Sequence, residues 1–216
     1  MQSPIDIDRG KAEEDSDLKP ITMQMGGMTL DATNYTVENN GHSVQLTFPD
    51  KLWRVSLHSE KPGDFCVKQL HFHWGSEDSK GSEHTLNGHA YSLEIFVAFT
   101  LQAHLVTYNC KVYDTYESAS TGPYGHSVLS IWGQETNREL NDTMFGAFGE
   151  LQSVLGSLKH NFPVEMAAFN LSGILTLVDP ASYFRYSGSL TTPPCTENAI
   201  WTVFTRIVPV SNETVS

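Results

Sequence analysis

The sequence is short of basic residues and has no long apolar run, and each shortage excludes a class of protein. Only 13 lysines and arginines stand against 25 aspartates and glutamates, so the formal net charge is −12. A nucleic-acid backbone or an anionic membrane surface would repel such a chain, whereas a small neutral substrate is unaffected. No apolar stretch is long enough for a membrane span, and Met1 is followed by QSPIDID rather than by an export signal. We therefore expect no nucleic-acid partner, no membrane span and no signal peptide within this chain.

Cysteine is also scarce, with only Cys66, Cys110 and Cys195. An odd number leaves at least one thiol unpaired within the chain, and the absence of a CxxC pattern argues against a structural cysteine-metal site. Pairing of Cys66 with Cys110 stays open at this level. Asn-x-Ser/Thr acceptor triplets, which suit a secreted glycoprotein, begin at four positions, Asn34, Asn141, Asn170 and Asn212. These triplets favour an extracellular or secretory-pathway protein.

The remaining composition is that of one mainly β domain. A chain of 216 residues with 39% hydrophobic residues can bury a single sizeable core, and no repeat or linker divides it, so we expect one domain over 1–216. Apolar residues at helical spacing between Asn141 and His160 predict one amphipathic helix, capped by Asn141 or Asp142. Strand-like runs dominate elsewhere, at residues 42–48, 52–58, 66–74, 127–132 and 199–208.

Two histidine-containing runs indicate a metal site built on strands. Side chains alternate faces in an extended chain, so His71 and His73 in LHFHWG project from the same side. His104 in AHLVTY shares a face with Val106, and a neighbouring strand could bring it to the same point. An alternating HxH pair is, by itself, more often just a polar strand face. Three neutral imidazoles and a water, however, describe an open, catalytic zinc site.

Six motifs, in this order along the chain, resemble the alpha-class carbonic anhydrases. The resemblance covers nearly the whole sequence and implies a central, largely antiparallel twisted sheet with peripheral helices and a cone-shaped active site. It also implies zinc-dependent, reversible hydration of carbon dioxide to bicarbonate and a proton. The motifs are QSPIDI at 2–7, NNGH at 39–42, QLHFHWGS at 69–76, GSEHT at 81–85, AHLV at 103–106 and GSLTTPPCTE at 188–197.

The resemblance implies that His71, His73 and His104 are the zinc ligands and that Gln69 belongs to the residues that orient them. This family is the established example of zinc lowering the pKa of bound water to about 7, which makes hydroxide available near neutral pH. Zinc needs no redox change for this chemistry.

Three further residues resemble the catalytic groups around the metal. Thr191 matches a threonine that orients the attacking oxygen and donates its own proton to a carboxylate, which Glu83 matches. His42 matches the proton shuttle, because an imidazole with a pKa of roughly 6.5 can take up and release protons near neutrality.

The same resemblance outlines a substrate pocket. An apolar wall for carbon dioxide is matched by Val106, Val128, Leu190 and Trp201, and Thr192 matches a polar neighbour of the substrate. Without the resemblance, the four apolar residues would be interpreted as ordinary core.

An apparent insertion separates this chain from the family pattern. The stretch HAYSLE at 89–94 runs directly into AHLV in the family, whereas here IFVAFTLQ at 95–102 lies between them. Without the insertion, Glu94 would be the carboxylate that orients the third ligand. With it, Gln102 holds that position and can accept the imidazole proton without a carboxylate's charge, so we expect weaker orientation.

The insertion also raises a choice of third ligand. Eight extra residues cannot be absorbed in a strand of fixed length, but an even number preserves facing, so His104 can still reach the metal if the excess loops out. A gapless alignment instead places Phe96 there. We favour His104 because the whole run AHLVTYN fits the family better than IFVAFTL.

Both ends are short relative to the family pattern. In secreted members the leading segment carries a cysteine that pairs with the one matched by Cys195, and the trailing part supplies a carbonyl that orients the ligand matched by His73. The insertion and the short ends motivate an alternative, a catalytically silent binding or extracellular matrix module. A calcium-linked matrix role would fit the acidity, but no acidic repeat supports it.

Overall fold

The computed structural model describes residues 1–26, 35–58, 64–74, 81–89, 100–136, 151–166 and 171–211, and these are mostly strands. The helices are short: α1 (Tyr116–Ala119), α2 (Leu151–Leu155), α3 (Ile174–Leu177) and a 3-10 turn at Leu171–Gly173. The strands are β1 (Asp6–Ile7), β2 (Thr22–Met25), β3 (Tyr35–Asn39), β4 (Val44–Thr47), β5 (Trp53–Ser56), β6 (Asp64–Trp74), β7 (Thr85–Leu86), β8 (Thr100–Tyr108), β9 (His126–Thr136), β10 (Val164–Met166), β11 (Tyr183–Gly188) and β12 (Ala199–Ser211). The predicted mainly β fold with peripheral helices is confirmed.

One large sheet contains ten of these strands, and β1 and β7 form a separate two-stranded parallel sheet. The order in the large sheet is β10-β3-β4-β6-β8-β9-β12-β11, with β5 also paired to β6 and β2 paired to β5. Each of these pairs is antiparallel except β9 with β12, which is parallel. The long strands β6, β8, β9 and β12 are consecutive neighbours, so they form a rigid platform in the middle of the sheet.

The two faces of this platform differ. On one face, Leu70, Phe72 and Leu105 are buried in the main hydrophobic core. On the other, Val106 and Val128 belong to a smaller apolar cluster. This arrangement follows from strand alternation, because residues two apart along β6 or β8 share a face. The histidines of the sequence motifs lie on the side of the smaller cluster.

The predicted helix between Asn141 and His160 is only partly matched. Residues 137–150, including the expected cap, lie outside the described residues. Helix α2 ends at Leu155, and Gly156 follows it. Glycine is a poor helix former, and two short-range turns, from Ser157 to Val154 and from Leu158 to Leu155, close the end. The chain then forms a bridge at His160, so the prediction extended the helix too far.

A disulfide joins Cys66 to Cys110, resolving the pairing that the sequence left open. Cys66 is buried in β6 opposite Tyr108, near the end of β8, and Cys110 follows that strand by two residues. Cys195 is a free thiol. The bond therefore ties together the two strands that carry the candidate metal ligands. None of the helices in the described ranges is long and apolar enough to cross a membrane.

Candidate metal centre

The three predicted ligands meet on two adjacent strands. His71 and His73 project from the same face of β6, and His104 on β8 lies directly opposite His71 in the antiparallel register. Thr100, Leu101 and Gln102 form the start of β8, so the end of the apparent insertion occupies strand positions. The earlier part, 95–99, lies outside the described residues. The expected facing of His104 is therefore kept.

The ring nitrogens are close enough to share one ion. The Nε2 atoms of His71 and His73 are 2.9 Å apart, and the candidate ligand atoms of all three histidines lie within 4.8 Å of one another. Nitrogens bound to tetrahedral zinc at about 2.0 to 2.1 Å would be about 3.3 Å apart. The observed separations lie on both sides of that value, so small ring rotations would bring them to it.

Burial keeps these imidazoles neutral. It lowers the pKa of His71 to about 3, with a further contribution from the charge of His73. Burial lowers the pKa of His73 too, although Glu83 opposes the shift. The pKa of the fully buried His104 is held well below its usual value, mainly by burial and then by the neighbouring imidazoles. Zinc binds neutral imidazole, so protons would not compete near neutral pH.

Glu83 places negative charge beside two of the three rings. Its Oε2 atom is 3.6 Å from Nε2 of His73 and 3.6 Å from Nδ1 of His104. The same oxygen is buried and accepts no hydrogen bond from the described residues. A buried carboxylate oxygen without a partner is unfavourable unless a donor or a cation satisfies it. The three imidazoles, as nitrogen ligands, and this oxygen, as a nearby negative charge, together fit a zinc ion.

Gln69 contacts one of the candidate ligands. Its Oε1 atom accepts a hydrogen bond from Nδ1 of His71 at 2.7 Å. With the proton held on Nδ1, the other nitrogen of His71 is free to face the metal position.

Gln102 was expected to accept a hydrogen bond from His104, but it does not. Its Oε1 atom accepts from the backbone N–H groups of Glu83 at 2.9 Å and His84 at 3.0 Å. Nε2 of His104 is buried and has no hydrogen-bond partner among the described residues. Glu94, the acid considered for this role, and Phe96, the competing ligand, lie outside the described residues.

The loop after β11 carries Thr191 and Thr192, the first half-buried and the second exposed. Backbone bonds from Leu190 to Thr196 and from Cys195 to Thr192 shape this loop. Among the described residues, no hydrogen bond joins Thr191 to Glu83, contrary to the expected donor and acceptor pair. The approach of the two residues depends on tertiary distances that sequence spacing does not specify.

The predicted apolar wall is assembled next to His104. Val106 pairs with Val128, and Val128 pairs with Trp201, so the three lie at one level across β8, β9 and β12. All three are buried, and the Trp201 ring centroid is 5.0 Å from that of His104. Leu190, also predicted for this wall, is partly buried in the neighbouring loop.

His42 lies at the edge of the same face. The Oγ atom of Ser43 donates to the carbonyl of Phe72 at 2.8 Å and accepts from its N–H at 3.2 Å. Because Phe72 separates the two β6 ligands, this double contact places the His42 turn beside them. His42 itself is exposed to solvent.

Sequence reasoning assigned no role to a hydrogen-bonded chain behind the site. Buried His84 contacts the hydroxyl of Tyr186 at 2.7 Å, and that hydroxyl donates to Oγ of Ser3 at 3.0 Å. Ser3 also accepts a hydrogen bond from the N–H of Ser189, at the start of the loop that carries Thr191 and Thr192, which we call the threonine loop. Three of the four residues stand inside motifs quoted above, so position within a motif was the available signal.

A mixed sheet that brings three histidines within 4.8 Å of one another, beside a carboxylate with one buried oxygen, defines a mainly β protein with a candidate metal site. The chain belongs to the eukaryotic-type carbonic anhydrase family, whose pattern it matches over residues 1–216.

Curated relatives agree with this assignment. The chain is 34% identical to human carbonic anhydrase 12 over 215 residues, covering 99% of this chain and 55% of that protein. It is 33% identical to human carbonic anhydrase 6 over 218 residues, covering 99% of this chain and 64% of the relative. The chain is 30% identical to carbonic anhydrase 6 of Canis lupus familiaris over 215 residues, covering 98% of this chain and 61% of the relative. The chain thus spans less than two thirds of the length of these relatives.

Proposed function

We propose that this chain is a zinc-dependent enzyme that reversibly hydrates carbon dioxide to bicarbonate and a proton. The observation that carries the proposal is the convergence of His71, His73 and His104, neutral and within 4.8 Å of one another, on the central sheet of a carbonic anhydrase family member.

The three imidazoles would hold the ion and leave a fourth position open. When bound, zinc acts as a Lewis acid and lowers the pKa of its bound water to about 7, as is established for this family. Glu83 contributes negative charge at 3.6 Å from two of the ligating rings. That negative charge favours retention of a cation. The carboxylate oxygen can also accept a hydrogen bond from a hydroxyl group that approaches it.

The apolar wall fits the substrate. Carbon dioxide has no net charge and no hydrogen to donate, so Val106, Val128 and Trp201 can receive it without leaving a polar group unpaired. Their position beside His104 would keep the substrate close to the three imidazoles that would hold the metal. Thr191 and Thr192 stand in the adjacent loop as candidate polar contacts for the product oxygens.

The proposal is tested by metal content and hydration rate on the purified chain. We expect one zinc per chain, carbon dioxide hydration measured by stopped-flow pH change, loss of that activity on chelation and its return with added zinc. A folded chain that binds zinc without hydrating carbon dioxide would instead support the silent binding module. A folded chain that takes up no zinc would reject the metal centre.

His42 yields a prediction about proton transfer. Replacing it with alanine should lower kcat by roughly 10²-fold in weak buffer, since general acid-base groups contribute about 10²- to 10⁴-fold. Added imidazole buffer should restore most of the rate, because it carries the proton in place of the side chain.

The chain offers a matched control for this variant. His160 is also exposed, and its ring lies against Gly41, where a Cβ atom would be 2.6 Å from its Cε1 atom. Replacing His160 with alanine should leave kcat unchanged in weak buffer. Equal losses for both variants, or no buffer rescue of the His42 variant, would contradict a shuttle role for His42.

We also propose that the protein resides outside the cell or in the secretory pathway. The Cys66–Cys110 disulfide supports this, because such bonds persist in oxidising compartments. The four Asn-x-Ser/Thr triplets point the same way. A single domain is proposed as well, since the large sheet draws its strands from Thr22 to Ser211.

A further inference from the structure

The side-chain amide of Gln102 is fully engaged at both ends. Its Oε1 atom accepts two backbone N–H groups, from Glu83 and His84. Its Nε2 atom donates to Oγ of Ser130 at 2.6 Å and lies 3.3 Å from Nδ1 of His84. The amide cannot be reversed, because backbone N–H groups only donate and would then face an NH₂ group.

This arrangement leaves the third ligand without support. His104 is 1% exposed, yet its Nε2 atom has no hydrogen-bond partner among the described residues. His73 is no better placed, since its hydrogen-bond and ion-pair contacts within the described ranges involve only Nε2, the atom that faces the metal position. Among the contacts that the described residues make, only that of Gln69 with His71 holds the outer nitrogen of a ligand.

We propose that Gln102 is a positioning residue that fixes the Glu83–His84 segment at the expense of His104, which makes the centre a weak and readily exchanging zinc site. This inference rests on the proposed function. Acceptors that orient a ligating imidazole are each worth about 10- to 100-fold in metal affinity. A ring without one has no hydrogen bond to fix its orientation towards the metal, so zinc should dissociate faster than from a fully supported site.

The position of Ser130 indicates how the site could be strengthened. Ser130 lies opposite His104 in the β8–β9 register, so the end of the Gln102 side chain already reaches the level of that ring. A glutamate at 102 would keep one oxygen for the N–H groups of Glu83 and His84. Its second oxygen could accept from both Ser130 and Nε2 of His104, which an NH₂ group cannot do.

Gln102 also sets the tautomer of His84. Because its NH₂ group faces Nδ1, the ring proton must lie on Nε2, where it is donated to the hydroxyl of Tyr186. A carboxylate at 102 would require a proton on Nδ1 instead. This change can be observed by ¹⁵N NMR in zinc-free protein, independently of metal binding and of activity.

The test compares the wild-type chain with Gln102→Glu. Zinc dissociation constants are measured by competition with a chromophoric chelator, and zinc release is timed with excess chelator. We expect Gln102→Glu to tighten zinc binding by about 10- to 100-fold and to slow release by a similar factor. The ¹⁵N spectrum should show His84 protonated on Nε2 in the wild type and on Nδ1 in the variant.

Gln69→Glu is the matched control. It adds the same charge beside His71, a ligand that already has its acceptor, so affinity should change by only a few-fold. Equal tightening by both variants would show that charge alone acts and would overturn the inference. Unchanged affinity in Gln102→Glu would overturn it too, while leaving the proposed function intact. Absence of zinc binding in wild type and variant alike would defeat both proposals.

Discussion

Replacing His104 with alanine is expected to remove zinc from the chain and to reduce carbon dioxide hydration to the uncatalysed rate. Catalytic zinc sites use three protein ligands and one open position, and the variant would retain only two imidazoles. Without the metal, the nucleophile is ordinary water, whose pKa lies far above the value near 7 of zinc-bound water. Zinc content by mass spectrometry and stopped-flow hydration are the measurements.

In the His104→Ala variant, loss of a metal ligand has to be distinguished from loss of folding. His104 is buried, so its truncation leaves a cavity that lowers stability as well. His126 is a suitable match, because it is equally buried but bonds to Asn198, away from the metal centre. His126→Ala should lose stability yet keep zinc. A folded His104→Ala chain with full zinc and activity would refute this ligand assignment.

The ligand set could be predicted because it depends on strand periodicity. Side chains two apart on a strand share a face, which places His71 and His73 together whatever the rest of the fold does. The approach of His104 also depends on register, and an even number of added residues preserves facing. The observed pairing of His104 with His71 agrees with that argument.

The partners around the ligands could not be predicted in the same way. Gln102 occupies the expected strand position, but its amide turns to the backbone N–H groups of Glu83 and His84, 19 and 18 residues away in sequence. The backbone N–H groups of Glu83 and His84 compete with the imidazole N–H of His104 for the same Gln102 oxygen. Only the folded structure shows which of these donors are within reach of it.

Some strands could likewise be predicted from the sequence, and others could not. Strong alternation or apolar runs predicted β4, β5, β6, β9 and β12, which contain or lie within the expected ranges. Shorter strands at the margins gave no such pattern; β2, for example, is largely exposed along its four residues. Edge strands need little apolar area, so their positions depend on the neighbour that they pair with.

Removing both Cys66 and Cys110 is expected to lower the free energy of unfolding by about 2 to 5 kcal/mol. The bond closes a segment with a sequence separation of 44, for which loop-closure entropy alone corresponds to about 4 kcal/mol. The two sulfurs lie where β6 and the end of β8 meet, so the loss should loosen the strand pair that carries all three ligand candidates. Urea unfolding of the Cys66→Ala, Cys110→Ala double variant, with zinc chelated, measures the effect.

Cys195→Ala supplies the control, since that thiol is free and half-buried in the threonine loop. Its unfolding free energy should change by no more than about 0.5 kcal/mol, as for substitutions that break no network. Reducing agent should shift wild type towards the double variant and leave the double variant unchanged. Equal stability of the wild type and the double variant under oxidising conditions would mean that the packing of β6 against β8 holds the platform together without the bond. The metal centre would then depend on sheet pairing alone, and zinc should be released at the same rate from the double variant as from the wild type.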